Sequence, residues 1–401
     1  MKRFIIIFCL ILFIFSGTYF LIQPVYDSIN FPENMYVTYA DVNSANESGK
    51  YSFIKFSLPE NVQVGNEAVS STTMDIKLFG WLPIKKVKVK LLNDIDVYIG
   101  GNTVGFHLTS NGVVVVGSNP IFTQNGQNEP IKSCALQNGD CIQKINNVEI
   151  NNIADIDKIL NSSTNPEIAE LEVVRNNELI NFTIKPALDL FTKRYRLGLW
   201  VQNSTSGVGT LTYVKKSDYR FGAVGHPIAK IEGSTEETNG GVYLCNYLGI
   251  KKGTKENPGE IQTSIKLSDN QIGTADTNCE YGVYGNLNNL NGLDMTKETS
   301  LGGRMSVKLG NAKIYCDLDG DGVKAYDIKI IKTNHQNQAS EKSIMLRVTD
   351  KALLEKTGGI IQGMSGSPIV QDGKLVGAVT HVFLNDPTKA FGVYIDWMID
   401  N

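Results

Sequence analysis

Hydrophobic and polar positions alternate in short runs along most of the chain, with the two-residue period of strands rather than the longer period of helices. From about residue 190 the runs LGLWVQ, VGTLTYV, GVYLCNYL, SVKLG, AKIYCDL, AYDIKII, IMLRVT, LVGAVTHV and AFGVYID follow one another, separated by turn-forming residues. Such a series predicts an antiparallel barrel or a sandwich pair. Upstream, TTMDIKLFGWLPIKKVKVKLL also alternates. Lys86, Lys88 and Lys90, grouped with Lys85, are expected on the solvated face of a strand whose Val87 and Val89 point inward. One segment breaks the pattern: residues 4–22 form an uncharged apolar run of 19, preceded by Lys2 and Arg3. At about 1.5 Å per residue a helix of this length crosses the apolar core of a bilayer. No A-x-A cleavage site follows it, so residues 1–23 are expected to be an uncleaved anchor, with a cleaved signal peptide as the alternative. The positive flank stays cytoplasmic, which places residues 24–401 outside the cytosol.

Between these regions the pattern changes twice. Residues 24–93 read as a spacer with leading strands, because VTYADVNSANESGKYSFIKF is polar and rich in Ser and Asn. Residues 94–187 read as strand, Gly turn, strand, turn, strand, then a short helix near Asp155–Leu160 and a hairpin turning at Asn176–Asn177. This stretch resembles a PDZ domain. Val104, Gly105, Phe106 and His107 match the carboxylate-binding loop, and LQNGDCI with INN matches the turn that leads into a strand. The resemblance implies a groove in which a peptide adds as a strand.

Composition narrows the classes. The chain has 401 residues and a net charge of −3, without a long basic block, which argues against nucleic acid as a partner. Outside the anchor five cysteines remain, an odd number that makes no complete disulfide framework, and Cys134 with Cys141 is either a bridge or a pair of free thiols. DLDGDG at 317–322 resembles a calcium loop, but Ile328 stands where an EF-hand needs Glu, so a D-G hairpin turn is the better reading. No metal or cofactor is expected.

The candidate chemistry lies in GMSGSP. Gly363 and Gly366 flank Ser365, and they let the backbone bend tightly beside a substrate. The N–H groups of Gly363 and Ser365 then suit one developing oxyanion. A serine nucleophile needs a base, usually His. Of the four histidines, His226 in FGAVGHPI is the candidate; His335 reads as a solvated loop residue, and His381 as either a substrate-pocket or a plain strand residue.

GMSGSPI is similar to the nucleophile loop of chymotrypsin-like serine proteases. The longer run from Thr349 to Met398, together with FGAVGHPI, resembles the stage IV sporulation protein B peptidase family. The resemblance implies a mostly β chain: an N-terminal transmembrane helix, a PDZ domain and a chymotrypsin-like double β-barrel at 188–401. It implies His226 as base, Ser365 as nucleophile and Asp350 as acid. Asp350 lies only 15 residues before Ser365, whereas Asp276, 50 after His226, has the spacing of a two-barrel protease, so Asp276 is the alternative acid. The implied role is a forespore endopeptidase, exported to the space between the forespore membranes. It cleaves itself and the regulatory partner of an intramembrane metalloprotease complex, triggering late mother-cell sigma factor activation. The PDZ domain would take a peptide, one candidate being a segment of its own chain. A broad envelope quality-control protease and a non-catalytic PDZ scaffold are the alternatives.

Overall fold

The computed structural model describes residues 34–47, 53–59, 69–92, 96–162, 166–175, 178–228, 237–334 and 339–399. The expected anchor, the Asn176–Asn177 turn and His335 lie outside these residues. Among the described residues no helix is long and apolar enough to cross a membrane.

The segment expected to be a spacer is folded. Strands β1 (Asn34–Val37), β2 (Ile54–Ser57), β3 (Val69–Leu78) and β4 (Leu82–Leu92) form a sheet in the order β1-β4-β3-β2, covered by helix α1 (Tyr39–Glu47). Thr38 and Asp41 form a reciprocal capping box, each side chain accepting the other's backbone N–H, at 3.0 and 3.1 Å. The polar texture concealed the helix because its apolar face is narrow: Val42 and Ala45, three residues apart, pack on Phe56, Met74, Ile76 and Val87. Val87 and Val89 are buried in β4 while Lys86, Lys88 and Lys90 face solvent, as the alternation requires.

Next come strands β5 (Asp96–Ile99) and β6 (Thr103–Ser118), then β7 (Cys141–Ile145), α2 (Ile153–Leu160), β8 (Ala169–Arg175) and β9 (Glu178–Ile184). The chain then returns along β10 (Leu199–Lys215) and continues through β11 (Arg220–Ala223), β12 (Glu237–Lys251), β13 (Gln271–Cys279) and β14 (Gly282–Leu287). Strands β6, β12, β13, β14, β11 and β10 pair in a closed cycle, the first barrel. Val104, Phe106, Leu211, Phe221, Val242 and Val283 fill it.

The segment expected as a separate domain at 94–187 takes in β6 of this barrel, and its boundary at 187 parts β6 from β10 and β12. Strands β6 and β10 pair along nearly their whole length, Thr103 with Thr210 at one end and Ser118 with Leu199 at the other. Their inner halves belong to the barrel. Their outer halves carry β7, β8, β9 and α2, which close around Val113, Val115, Ile142, Ile145, Leu171 and Leu160. The smaller unit is therefore inserted into a barrel hairpin rather than placed before it. Its turn at Gly139, φ 92°, leads into β7 as expected. Asp140 there accepts the Gln137 N–H and pairs with Arg175.

Strands β15 (Gly310–Cys316), β16 (Lys324–Thr333), β17 (Ile344–Val348), β18 (Pro368–Gln371), β19 (Lys374–Phe383) and β20 (Asp386–Tyr394) close the second barrel, with α3 (Lys351–Thr357) between β17 and β18 and α4 (Ile395–Met398) at its end. The DLDGDG segment is the turn between β15 and β16, its Asp317 carboxylate accepting the N–H groups of Asp319 and Gly320. Cys134, Cys141, Cys245, Cys279 and Cys316 are free thiols, so Cys134 and Cys141 form no bridge.

The N-terminal unit meets the connection between the barrels, and that connection meets the end of the second barrel, through buried polar groups. Asp41 accepts the Gly303 N–H at 3.1 Å, and next to it Arg304 pairs with Asp396 at 2.5 Å beneath the Trp397 ring. Removing one member of a buried pair strands the other charge and costs about 3–5 kcal/mol. Asp396→Ala is therefore expected to lower the denaturant midpoint sharply, and Asp396→Asn less; an unchanged midpoint for Asp396→Ala would show that the pair does not hold the seam.

Candidate active site

Ser365 sits at the junction of the two barrels. The loop that carries it is tied to β10 of the first barrel: Thr210 donates its N–H to the Ser365 carbonyl and its hydroxyl to the Gly363 carbonyl, both at 2.7 Å, and Thr212 donates to the Gly366 carbonyl at 2.7 Å. Gly366, at φ 95°, lies where a Cβ would fall 2.1 Å from the Thr210 carbonyl oxygen, so this position admits only glycine. Met364, Gly366 and Ser367 donate their N–H groups to Ile361, Val379 and Met364. Among the described residues, Gly363 and Ser365 have no intramolecular acceptor for theirs. The Ser365 hydroxyl donates to the Thr380 carbonyl at 2.7 Å.

His226 reaches the same seam from the end of β11. The chain enters it through Val224 at φ 71° and Gly225 at φ 73°. A left-handed conformation is costly for a β-branched residue and is retained only where the surroundings enforce it. Here the Val224 N–H is held by the Thr210 carbonyl, and the space over Gly225 is limited by Thr380. The His226 ring lies 4.8 Å from the His381 ring, centroid to centroid, and His381 follows Thr380 directly on β19. His226 Nδ1 lies 2.9 Å from the Pro227 carbonyl oxygen, an arrangement that leaves Nε2 for a proton from a nucleophile. Burial holds the His226 pKa below its ordinary value; the Pro227 carbonyl opposes that shift, His381 adds to it and Glu341 opposes it.

The structure brings neither candidate acid to His226. Asp350 is the N-cap of α3, accepting the Leu353 N–H at 3.0 Å and the Asp327 N–H at 3.3 Å. Both of its carboxylate oxygens are thus engaged, at the start of a helix that ends at Gly358. Asp276 makes a two-pronged pair with Arg220 at 2.9 and 3.0 Å. The residue that does reach the His226 loop is Asn278, two positions further along β13. It is buried, accepts the Ile228 N–H and donates to the Ile228 carbonyl, both at 2.9 Å. Asp276 is itself the extra residue of a bulge between Ala275 and Thr277, which residue counting does not register.

Val104, Gly105, Phe106 and His107 do not form a loop. They lie inside β6, paired with β10 on one edge and β12 on the other, with Val104 and Phe106 fully buried, so their N–H groups are not available to a carboxylate. His107 contacts the Ser206 hydroxyl at 2.9 Å. A groove of about 630 Å³ does exist in the inserted unit, between α2 (Ile153, Ile156, Leu160) and the start of β10 (Leu199, Val201). Tyr195–Gly198 also line it, and Gly198 takes φ 67°. The sequence signal for that loop was Leu197-Gly198-Leu199, hidden inside a run read as a peptidase strand.

Two closed barrels, with a serine on a glycine-flanked loop bonded to Thr380 and a histidine packed on the neighbouring His381, are an arrangement compatible with a serine peptidase. The family comparison agrees: the SpoIVB peptidase S55 model matches residues 193–399, more than half of the chain, and the chain belongs to that family. Its activity is that of a serine peptidase acting on protein substrates. Among solved structures, the active form of the Rv3671c protease from M. tuberculosis is 13% identical, over 47% of this chain and 70% of that one, with a TM-score of 0.25. The inactive form of the Rv3671c protease is 12% identical, over 47% and 78%, also with a TM-score of 0.25. No curated protein matches the chain.

Two outcomes are expected. Gly366→Ala should displace the loop and lower peptidase activity by about a hundredfold or more; wild-type turnover in a folded Gly366→Ala protein would mean that the contact with Thr210 is dispensable. A base acts in its neutral form, so a depressed His226 pKa keeps activity into mildly acidic solution: the acid limb of the kcat/KM profile should lie below the ordinary histidine value of 6.5. A limb above that value would contradict the burial argument.

Proposed function

We propose that the chain is a sporulation-signalling serine endopeptidase, tethered by residues 1–23 and exported to the space between the forespore membranes. There it cleaves itself and then the regulatory partner of an intramembrane metalloprotease complex, releasing late mother-cell sigma factor activation. The family membership supports this role. The observation that carries the chemistry is the pair of unengaged N–H groups, on Gly363 and Ser365, beside the Ser365 hydroxyl.

In this reading the Ser365 hydroxyl turns from the Thr380 carbonyl toward His226 Nε2. His226 takes the proton as Oγ bonds the scissile carbon. The carbonyl oxygen becomes an oxyanion between the Gly363 and Ser365 N–H groups, and His226 then returns the proton to the leaving amine. The inserted unit is read as a PDZ-like module whose peptide would lie along the edge of β10 in the groove beside α2, with the Tyr195–Gly198 loop at its carboxylate end. The N-terminal sheet has paired strands and a buried core, which supports a self-cleavage site on the N-terminal side of Asn34 rather than within the sheet.

The test is self-processing of the full chain, with product N-termini determined and covalent labelling by a fluorophosphonate measured in parallel. Ser365→Ala and His226→Ala should abolish both, a loss of several orders of magnitude. Processing of Ser365→Ala at the wild-type rate would leave the scaffold reading in its place, and degradation of unfolded proteins at many sites would favour the quality-control reading. Asp350→Asn keeps a helix cap; if it proves as inactive as Ser365→Ala, Asp350 is the acid after all.

A further inference from the structure

The hairpin between β3 and β4 turns at Leu78-Phe79-Gly80-Trp81, closed by the Trp81 N–H donating to the Leu78 carbonyl at 3.3 Å. Phe79 at φ 53° and Gly80 at φ 80° are both left-handed. A two-residue turn of this kind favours Asn-Gly, because a large side chain is strained at positive φ. This chain places a phenylalanine there. Phe53, at the entrance to β2, takes φ 110°. Its carbonyl accepts the Phe79 N–H, and its ring meets the Phe79 ring edge-on with centroids 5.5 Å apart. None of this serves a core: Phe53, Phe79 and Leu82 are exposed, and Trp81 is 72% exposed. Four large apolar side chains thus stand together at one end of the N-terminal sheet, and a patch of this kind marks an interaction surface.

Two further features identify what the patch meets. The first is charge. Strands β2, β3 and β4 carry six lysines and one acid, Asp75, in a chain whose net charge is −3. Lys55 and Lys77 are register partners just behind the tip, and the Lys55 stem lies beside Gly80. Lys86 follows on β4, 3.7 Å from Asp75. Exposed aromatic rings backed by lysines suit the headgroup layer of an anionic bilayer. The second feature is direction. Strand β1 runs parallel to β4 and begins with Asn34 beside Lys88, so it too runs away from the tip. Leu82 is six residues back along β4, about 20 Å. Ten residues, 24–33, separate Asn34 from the expected anchor, and a chain of that length reaches at most roughly 35 Å. The tip therefore lies at the end of the sheet where β1 starts, within reach of a membrane tether.

We propose that the tip formed by Phe53, Phe79, Trp81 and Leu82 inserts into the headgroup region of an anionic bilayer and holds the N-terminal sheet against the membrane surface. The argument from reach rests on residues 1–23 being the tether; the aromatic cluster and its lysines do not depend on it.

The experiment reconstitutes the full chain, as Ser365→Ala so that self-processing does not shorten it, into vesicles of phosphatidylglycerol and phosphatidylcholine. It measures flotation, and the quenching of tryptophan emission by lipids brominated near the headgroup end of their acyl chains. Comparison with Trp81→Phe isolates the signal of Trp81 from those of Trp200 and Trp397. Quenching should be about twofold or more greater with Trp81 present than in Trp81→Phe. Phe79→Asn suits the turn better, so its unfolding midpoint should be equal or higher, while Trp81 quenching should fall by about half or more. Replacing phosphatidylglycerol by phosphatidylcholine should weaken the quenching, because the lysines lose their attraction; quenching that ignores this change overturns the anionic half of the inference. Equal quenching with and without Trp81, in a chain that floats, overturns the inference, leaves the tether reading intact and leaves the tip to a protein partner. A chain that floats only while Phe79 and Trp81 are present supports the inference and overturns the tether; one that never floats overturns both. A lower midpoint with unchanged quenching in Phe79→Asn would mean that the ring serves the turn alone, and would overturn the inference as well.

Discussion

The whole site depends on how two threonine hydroxyls and one main-chain bond clamp a loop of the second barrel onto a strand of the first. Thr210 and Thr212 sit on β10 and hold the carbonyls of Gly363, Ser365 and Gly366. With those carbonyls fixed, the N–H groups of Gly363 and Ser365 are turned away from the clamp. The same Thr210 carbonyl receives Val224, and so sets the course of the chain into His226. One residue thus fixes both candidate segments, the Ser365 loop and the approach to His226, and the seam between barrels, rather than either barrel core, determines their relative position. The threonine hydroxyls are buried with their acceptors, where an unmade hydrogen bond is costly, so the register has little freedom to slip.

The second barrel contributes more than the nucleophile. Thr380 accepts from Ser365 and donates to Glu341, and His381 beside it covers the His226 ring. The aspartate that the resemblance implied, Asp350, caps a helix, and the one that spacing suggested, Asp276, pairs with Arg220.

Much of the fold was legible because strand alternation is a local property. The Lys-Val alternation of β4, the cap and glycine stop of α3, and the turn before β7 all follow from residues a few positions apart. Ser365 and His226 stood out as candidates because glycines mark both segments. What could not be read were the features set by distant pairing. Val104–His107 has the glycine of a binding loop, Gly105, yet β10 and β12 capture it as a strand, and these partners lie about a hundred residues or more downstream. Asp276 and Asn278 differ by one bulge, which only the pairing of β13 with β14 reveals. The helix α1 was missed because two small apolar residues give too weak a periodic signal.

The nesting of the smaller unit within the β6–β10 hairpin also bears on the order of assembly. Closing the first barrel requires Thr103 to meet Thr210 across a long stretch of chain. Loop-closure entropy opposes that contact, and contacts of large sequence separation form slowly. The inserted unit is made of nearer neighbours, such as the β8–β9 hairpin and β7 with β8. Once it has formed, the outer halves of β6 and β10 already run side by side, and the barrel closes by continuing a ladder rather than by a search. The insert is in this sense a folding template for the strand that anchors the nucleophile, quite apart from anything its groove binds.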